Sequence, residues 1–136
     1  HKEDQFLLES LQEQGKMLGM ECENCVPDRW LDEGDLIRLA DEDLKVLFTP
    51  GHSPGHVVFY HPESKMVIIG DVLFKGSVGR TDLPRGDHQT LINSITEKLW
   101  PLGDEILFIP GHGPTSTFGQ ERKDNAFVAD KIISKI

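Results

Sequence analysis

The chain has 136 residues, enough for one domain of ordinary size, and its 38% apolar and 27% charged residues give a soluble globular balance rather than a disordered one. A net charge of −9 argues against a nucleic-acid partner, because that binding draws on clustered Lys and Arg. No apolar run approaches the ~18–20 residues of a membrane span and no leader-like segment opens the chain, so no membrane partner is expected.

In chain order, residues 4–18 place Phe6, Leu7, Leu11 and Leu18 at roughly helical spacing, which predicts an amphipathic helix closing near Gly15 or Gly19. Residues 20–30 read as a loop that carries Cys22 and Cys25 as a CxxC pair. No thioredoxin-like pattern surrounds the pair, and no further Cys exists to complete a zinc knuckle. They are read as incidental thiols, compatible with a reducing cytoplasm, the expected location. Residues 35–39 and 43–49 alternate and predict two strands joined by an acidic turn. Residues 57–60 and 66–69 flank HPESK, a hairpin signal. Residues 75–87, rich in Gly, Pro and charge, predict a long loop. Residues 88–100 predict a helix closed by Pro101 and Gly103, and residues 106–109 a short buried strand. A last helix is expected from near Thr117 to the chain end, with a break. Strands in hairpins with flanking helices predict an α/β (α+β) domain built on a mixed sheet, not a doubly wound fold.

Three segments share one design: an apolar strand that stops at a Gly-bearing turn next to a metal-type ligand. VLFTPGHSPGH presents His52 and His56, MVIIGDVLF presents Asp71, and ILFIPGHGP presents His112. Ligands at strand ends stand on a rigid sheet and face an open rim, as a catalytic metal site requires. A lone His after a strand is more often an ordinary hydrogen-bonded residue, and an Asp after a Gly turn is often a helix cap. Three such segments after three separate strands make chance repetition the weaker account. A metal site at the sheet rim is therefore expected, with His52, His56, Asp71 and His112 as its candidate ligands, a donor set of imidazoles and a carboxylate that can hold an ion.

The stretches TPGHSPGH, IIGDVLFKGSVGRTDLPRGD and FIPGHGPTSTFGQER resemble the later motifs of the metallo-β-lactamase superfamily, and in particular the short bacterial glyoxalase II-like proteins. The likeness runs from about residue 27 to 127. It implies that the chain is part of an αββα sandwich. It also implies two divalent ions, zinc first, with iron or manganese as alternatives. His52 would serve one ion, His112 the other, and Asp71 would bridge them and hold the hydroxide that attacks a thioester carbonyl. His56 would act behind these ligands or in packing rather than as a ligand. Arg80 matches a basic substrate-contacting position, although an Arg paired with Asp82 or Asp87 to order its loop is an equal reading. Lys75 and Arg85 are lesser candidates for an anionic substrate group, and Arg122 reads as a structural ion pair. His1, His61 and His88 match no ligand motif and are expected at the surface.

The family's first metal motif, HxHxDH, does not occur, and residues 1–18 resemble the helical segment that follows it. The chain is therefore expected to be residues 1–136 of a C-terminal portion of one domain, with something upstream removed, and to carry three of seven ligands. Its implied activity is hydrolysis of S-lactoylglutathione or a related hydroxyacylglutathione, with the 136 residues alone inactive or impaired. The alternatives are a mononuclear-iron persulfide dioxygenase and a non-catalytic associating fragment. In either form the chain is expected to associate, with its N-terminal half or with another copy, because half a sandwich leaves an apolar sheet face open.

Overall fold

The computed structural model describes residues 1–135. A 3₁₀ turn, Lys2–Asp4, leads into α1, Gln5–Glu9, and α2, Leu11–Met17. The single helix expected over residues 4–18 is thus broken at Ser10. Ser10 Oγ donates to the carbonyls of Phe6, at 2.8 Å, and Leu7, at 3.3 Å, and so competes with the helical ladder. The chain then runs irregularly to β1, Leu36–Leu39, and on to β2, Glu42–Phe48, β3, Val57–His61, and β4, Met66–Gly70. A small hairpin follows, of β5, Leu73–Phe74, and β6, Ser77–Val78. It straddles the start of the expected 75–87 loop and was too short to show as alternation.

The helix expected over residues 88–100 changes winding along its length. It is α3, His88–Asn93, then a π-helical stretch, Ser94–Leu99, then a 3₁₀ turn, Trp100–Leu102. Thr96 Oγ1 takes the Ile92 carbonyl where the winding loosens. β7, Leu107–Pro110, is followed by β8, Ser116–Thr117, then α4, Phe118–Asp124, and α5, Asp130–Ile133. The break expected in the last helix is the interval between α4 and α5. The helix expected to run to the chain end stops at Ile133, with residues 134–135 in a turn, and position 136 lies outside the described residues.

Six strands form one mixed sheet in the order β1-β2-β3-β4-β7-β8, with β4 and β7 parallel and the other neighbours antiparallel. Alternation gives the sheet two faces. Leu47, Val58, Val67, Ile69 and Phe108 point to one of them and are buried with Leu91, Ile95, Leu99, Trp100, Phe118 and Val128 in a single core. On the other face Phe59 pairs with Ile68 and Ile68 with Ile109, and here Ile68 and Ile109 remain 44% and 38% exposed. Among the described residues no helix is long and apolar enough to cross a membrane.

The pairing also fixes direction. β2 and β4 are both antiparallel to β3, and β7 is parallel to β4, so β2, β4 and β7 point the same way. Their C-terminal ends lie at one rim, and each runs directly into one of the three Gly-bearing segments.

Candidate metal centre

Asp71 stands between the two imidazoles. His52 Nε2 lies 3.7 Å from its Oδ2, and His112 Nδ1 lies 3.0 Å from its Oδ1. Each carboxylate oxygen thus faces a different ring. His52 Nδ1 lies 2.8 Å from the Arg80 carbonyl, which can only accept, so Nδ1 carries the proton. In the neutral ring the Nε2 lone pair then faces a carboxylate oxygen. His112 sits at the open side, its side chain 76% exposed and its ring tilted against Phe74 at 5.9 Å.

The turns around these groups are shaped by close packing. A Cβ on Gly111 would run into Asp71 Oδ1, and one on Gly79 into the Asp71 carbonyl. The Gly111 amide donates to Gly70 O at 2.8 Å, which ties the third segment to the second. Gly51, at φ +137°, lets the first segment touch α3, where a Cβ would strike the Leu91 backbone. The Asp87 amide donates to Gly51 O, and the Asp87 side chain caps α3 through the Thr90 amide at 2.7 Å.

His56 lies behind the carboxylate. Its Nε2 accepts from the Asp71 amide at 3.3 Å and its Nδ1 lies 3.4 Å from Thr49 Oγ1. Burial first, and the neighbouring His52 second, push its pKa down to about 4, so the ring is neutral and Nε2 is free to accept. Asp4 holds the turn between His52 and His56, since its oxygens accept from Ser53 Oγ and the Gly55 amide, both at 2.7 Å. Nothing local marks Asp4, and its role arises only from folding residues 1–18 back onto the turn. Glu121, within the GQER stretch, and Asn125, three residues beyond it, are likewise buried with no further local signal.

Arg80 forms a bidentate pair with Asp82, at 2.7 and 2.8 Å, and this holds the Asp82 carboxyl down to about 2. The part of Arg80 that touches the centre is its carbonyl. Lys75 is exposed at the β5–β6 turn, and Arg85 lies over the Phe6 ring at 4.0 Å. Arg122 pairs with Asp104 at 2.9 Å and with Asp130 at 3.1 Å. Two of the three remaining histidines, expected at the surface, are half-buried there. The His1 side chain is only 19% exposed, stacked on Phe48 and paired with Asp32, and that of His61 is 15% exposed, held by Ser64 and Glu42. His88 is exposed, as are Cys25 and, in part, Cys22, both free thiols.

His52, Asp71 and His112 do not close on one point. Among the described residues the one grouping of three ligand atoms all within 4.8 Å of one another is Glu42, His61 and Glu63, at the opposite end of β3, where two of the three are exposed carboxylates. At the rim, one carboxylate stands between two imidazoles, with one oxygen toward each. Beside His52 and Ser53 a groove of about 690 Å³ opens, lined mainly by Phe6, Leu7, Leu83 and Pro84.

Comparison with known proteins agrees with this architecture. The sequence model of the metallo-beta-lactamase superfamily matches residues 4–112. The chain is 47% identical over 133 residues to hydroxyacylglutathione hydrolase GloC of Haemophilus influenzae, covering 96% of this chain and 63% of that protein. The fold matches the BLEG-1 B3 metallo-beta-lactamase with a TM-score of 0.83 and 36% identity. It matches TTHA1623 in a di-iron-bound form with a TM-score of 0.82 and 43% identity. Both alignments cover 94% of this chain and 63% of the other. ETHE1 from Myxococcus xanthus aligns with a TM-score of 0.69 and 30% identity over 83% of this chain and 51% of that one. The chain thus spans less than two thirds of the length of each of these relatives.

Proposed function

The chain belongs to the metallo-beta-lactamase superfamily, and on that premise we propose that it contributes His52, Asp71 and His112 to a two-metal centre of a thioester hydrolase acting on hydroxyacylglutathiones. The observation that carries this reading is the division of Asp71, one oxygen toward each imidazole, with the His52 lone pair facing one of them. A single ion held by all three residues would bring their ligand atoms to one point. A bridging carboxylate keeps the two rings apart, as here.

The donor set fits divalent ions. Two imidazole nitrogens and a carboxylate suit zinc first, and iron remains chemically compatible, as the di-iron form of TTHA1623 illustrates. When bound, such ions supply Lewis acidity and lower the pKa of water toward neutrality. The reaction consumes water and a thioester and yields a carboxylate and a thiol. The thiolate is a good leaving group, so the chain needs no strong general acid. The chain's own contribution is orientation. The Arg80 carbonyl sets the His52 tautomer, the His56 ring holds the Asp71 backbone, and Asp4 fixes the turn between the two histidines. The groove beside His52 gives a substrate an approach to the rim. An anionic group of the substrate reaches the Arg80 guanidinium only by sharing it with Asp82.

The test uses the full-length protein. We expect about two zinc ions bound per chain and S-lactoylglutathione hydrolysis lost in Asp71→Ala, His52→Ala and His112→Ala. Arg80→Ala is expected to raise KM with kcat little changed. A single bound iron, with oxygen uptake on glutathione persulfide and no thioesterase activity, would replace this reading with a mononuclear dioxygenase. Unchanged metal content in the three ligand variants would remove the site itself.

A further inference from the structure

The loop of residues 71–80 touches every member of the proposed centre. It begins with Asp71, its Phe74 ring packs against His112, and its Arg80 carbonyl accepts a hydrogen bond from His52 Nδ1. Within the loop the Gly79 amide donates to the Val72 carbonyl at 3.0 Å, which closes the β5–β6 hairpin back toward the rim. What anchors this hairpin to the rest of the molecule is a pair of buried polar side chains on α4 and just beyond it.

Glu121 is 2% exposed and Asn125 is fully buried. Glu121 Oε2 accepts from the Gly76 amide at 2.7 Å, at the hairpin turn, and from Asn125 Nδ2 at 2.8 Å. Its other oxygen accepts from Ser116 Oγ at 2.6 Å. Asn125 Nδ2 also reaches the carbonyls of Ser77 at 3.0 Å and Phe74 at 3.4 Å, while its Oδ1 accepts from the amides of Phe127 and Val128. Each donor and acceptor of the pair finds a partner, and three of those partners are backbone groups of the hairpin. A buried carboxylate is costly unless it is fully hydrogen-bonded, so its presence here argues for a specific placement rather than for packing alone. Among the described residues no side-chain cation pairs with it: Arg122, its neighbour in sequence, turns away to Asp104 and Asp130.

We propose that Glu121 and Asn125 are positioning residues of the Asp71 centre, clamping the 71–80 loop so that Asp71, the Arg80 carbonyl and the Phe74 ring meet both imidazoles in register. This rests on the metal reading of Asp71 given above. Neither side chain touches the proposed ligands. They act through the hairpin backbone, and their loss lets the loop shift while the sheet stays intact.

The experiment is a cobalt(II) titration of the metal-free full-length protein, read as dissociation constant and as visible absorption spectrum. Glu121→Gln keeps the side-chain shape but loses the second charge-bearing acceptor, and Asn125→Ser removes the contacts to Phe74 and Ser77. Both are expected to weaken cobalt binding about tenfold or more and to alter the spectrum, the scale at which outer partners of metal ligands act. Arg122→Ala, on the same helix, is the control. It breaks two ion pairs and lowers thermal stability, yet it should leave affinity and spectrum at the wild-type values. Glu121→Gln and Asn125→Ser proteins that are folded and bind cobalt within twofold of wild type, with the same spectrum, would overturn the proposal. Variants at both positions that unfold the whole protein would also overturn it, because the pair would then serve the core. Asp71→Ala separates the two claims. If it leaves cobalt binding unchanged, the metal reading fails; if it abolishes binding while Glu121→Gln does not affect it, only the positioning role fails.

Discussion

At the scale of single residues, the centre depends on groups with no room to spare. Gly111 is not in a left-handed conformation, so a side chain there is resisted by Asp71 Oδ1 and not by backbone strain. Gly111→Ala is therefore expected to push the carboxylate aside and to lower zinc affinity about tenfold or more, with thermal stability of the metal-free protein nearly unchanged. Chelator competition measures the first quantity, and wild-type affinity would mean that Asp71 can move without loss. His56 gives a pH dependence whose sign is determined. Its folded pKa of about 4 lies below the ordinary 6.5, so between these values the unfolded chain binds a proton that the folded chain refuses. Stability from this ring is complete above about pH 6.5 and is lost as pH falls toward 4, by at most about 3 kcal/mol. Urea unfolding of the metal-free protein at pH 7 and pH 4.5 should show this slope, and His56→Gln should flatten it. An equally steep slope in the variant would assign the effect to other groups.

At the scale of elements, the rim is made by three parallel-running strand ends, each followed by a turn that must bend sharply. Gly51 meets two of these demands at once, with a positive φ and the Leu91 backbone where a side chain would stand. Gly51→Ala is expected to cost on the order of 2 kcal/mol or more, because it combines left-handed strain with a backbone collision that displaces α3. Equilibrium unfolding would show it, and a loss below about 0.5 kcal/mol would mean that α3 slides away freely. The longer strands were legible because alternation records the main buried face: Leu47, Val58, Val67, Ile69 and Phe108 fall on one side, although Val46, paired with Phe59 on the other side, is also fully buried. The short pairs β5–β6 and β8 were not legible. Two residues per strand carry no period, and their pairing is held by non-local bonds such as that from Gly76 to Glu121. The expected helix over residues 4–18 failed at Ser10 for a local reason, a hydroxyl that took two helix carbonyls.

At the scale of the whole molecule, the sheet has one covered face and one open face. Ile68, Ile109 and Leu107 stand 44%, 38% and 38% exposed on the open side, beside Phe59. Such a contiguous apolar surface favours association. We expect the 136-residue chain to self-associate with rising concentration in size-exclusion chromatography, and Ile68→Lys to reduce this without unfolding the core. A monomer at high concentration with a sharp, cooperative unfolding transition would contradict it. The remainder of an αββα sandwich, supplied in trans, is the proposed alternative cover for the same face.

The longer strands β1–β4 and β7, the three turns with their ligand-type residues, and the superfamily are readable from local pattern and short motifs alone. Only the tertiary structure decided how the residues stand to one another. It set Asp71 between two separated imidazoles, paired Arg80 with Asp82, and brought Asp4 and Glu121 to the turns they hold. The contacts of Asp4 and Glu121 join residues 49, 51 and 45 positions apart, and no periodicity along a chain encodes a hydrogen bond that exists only once the sheet has closed.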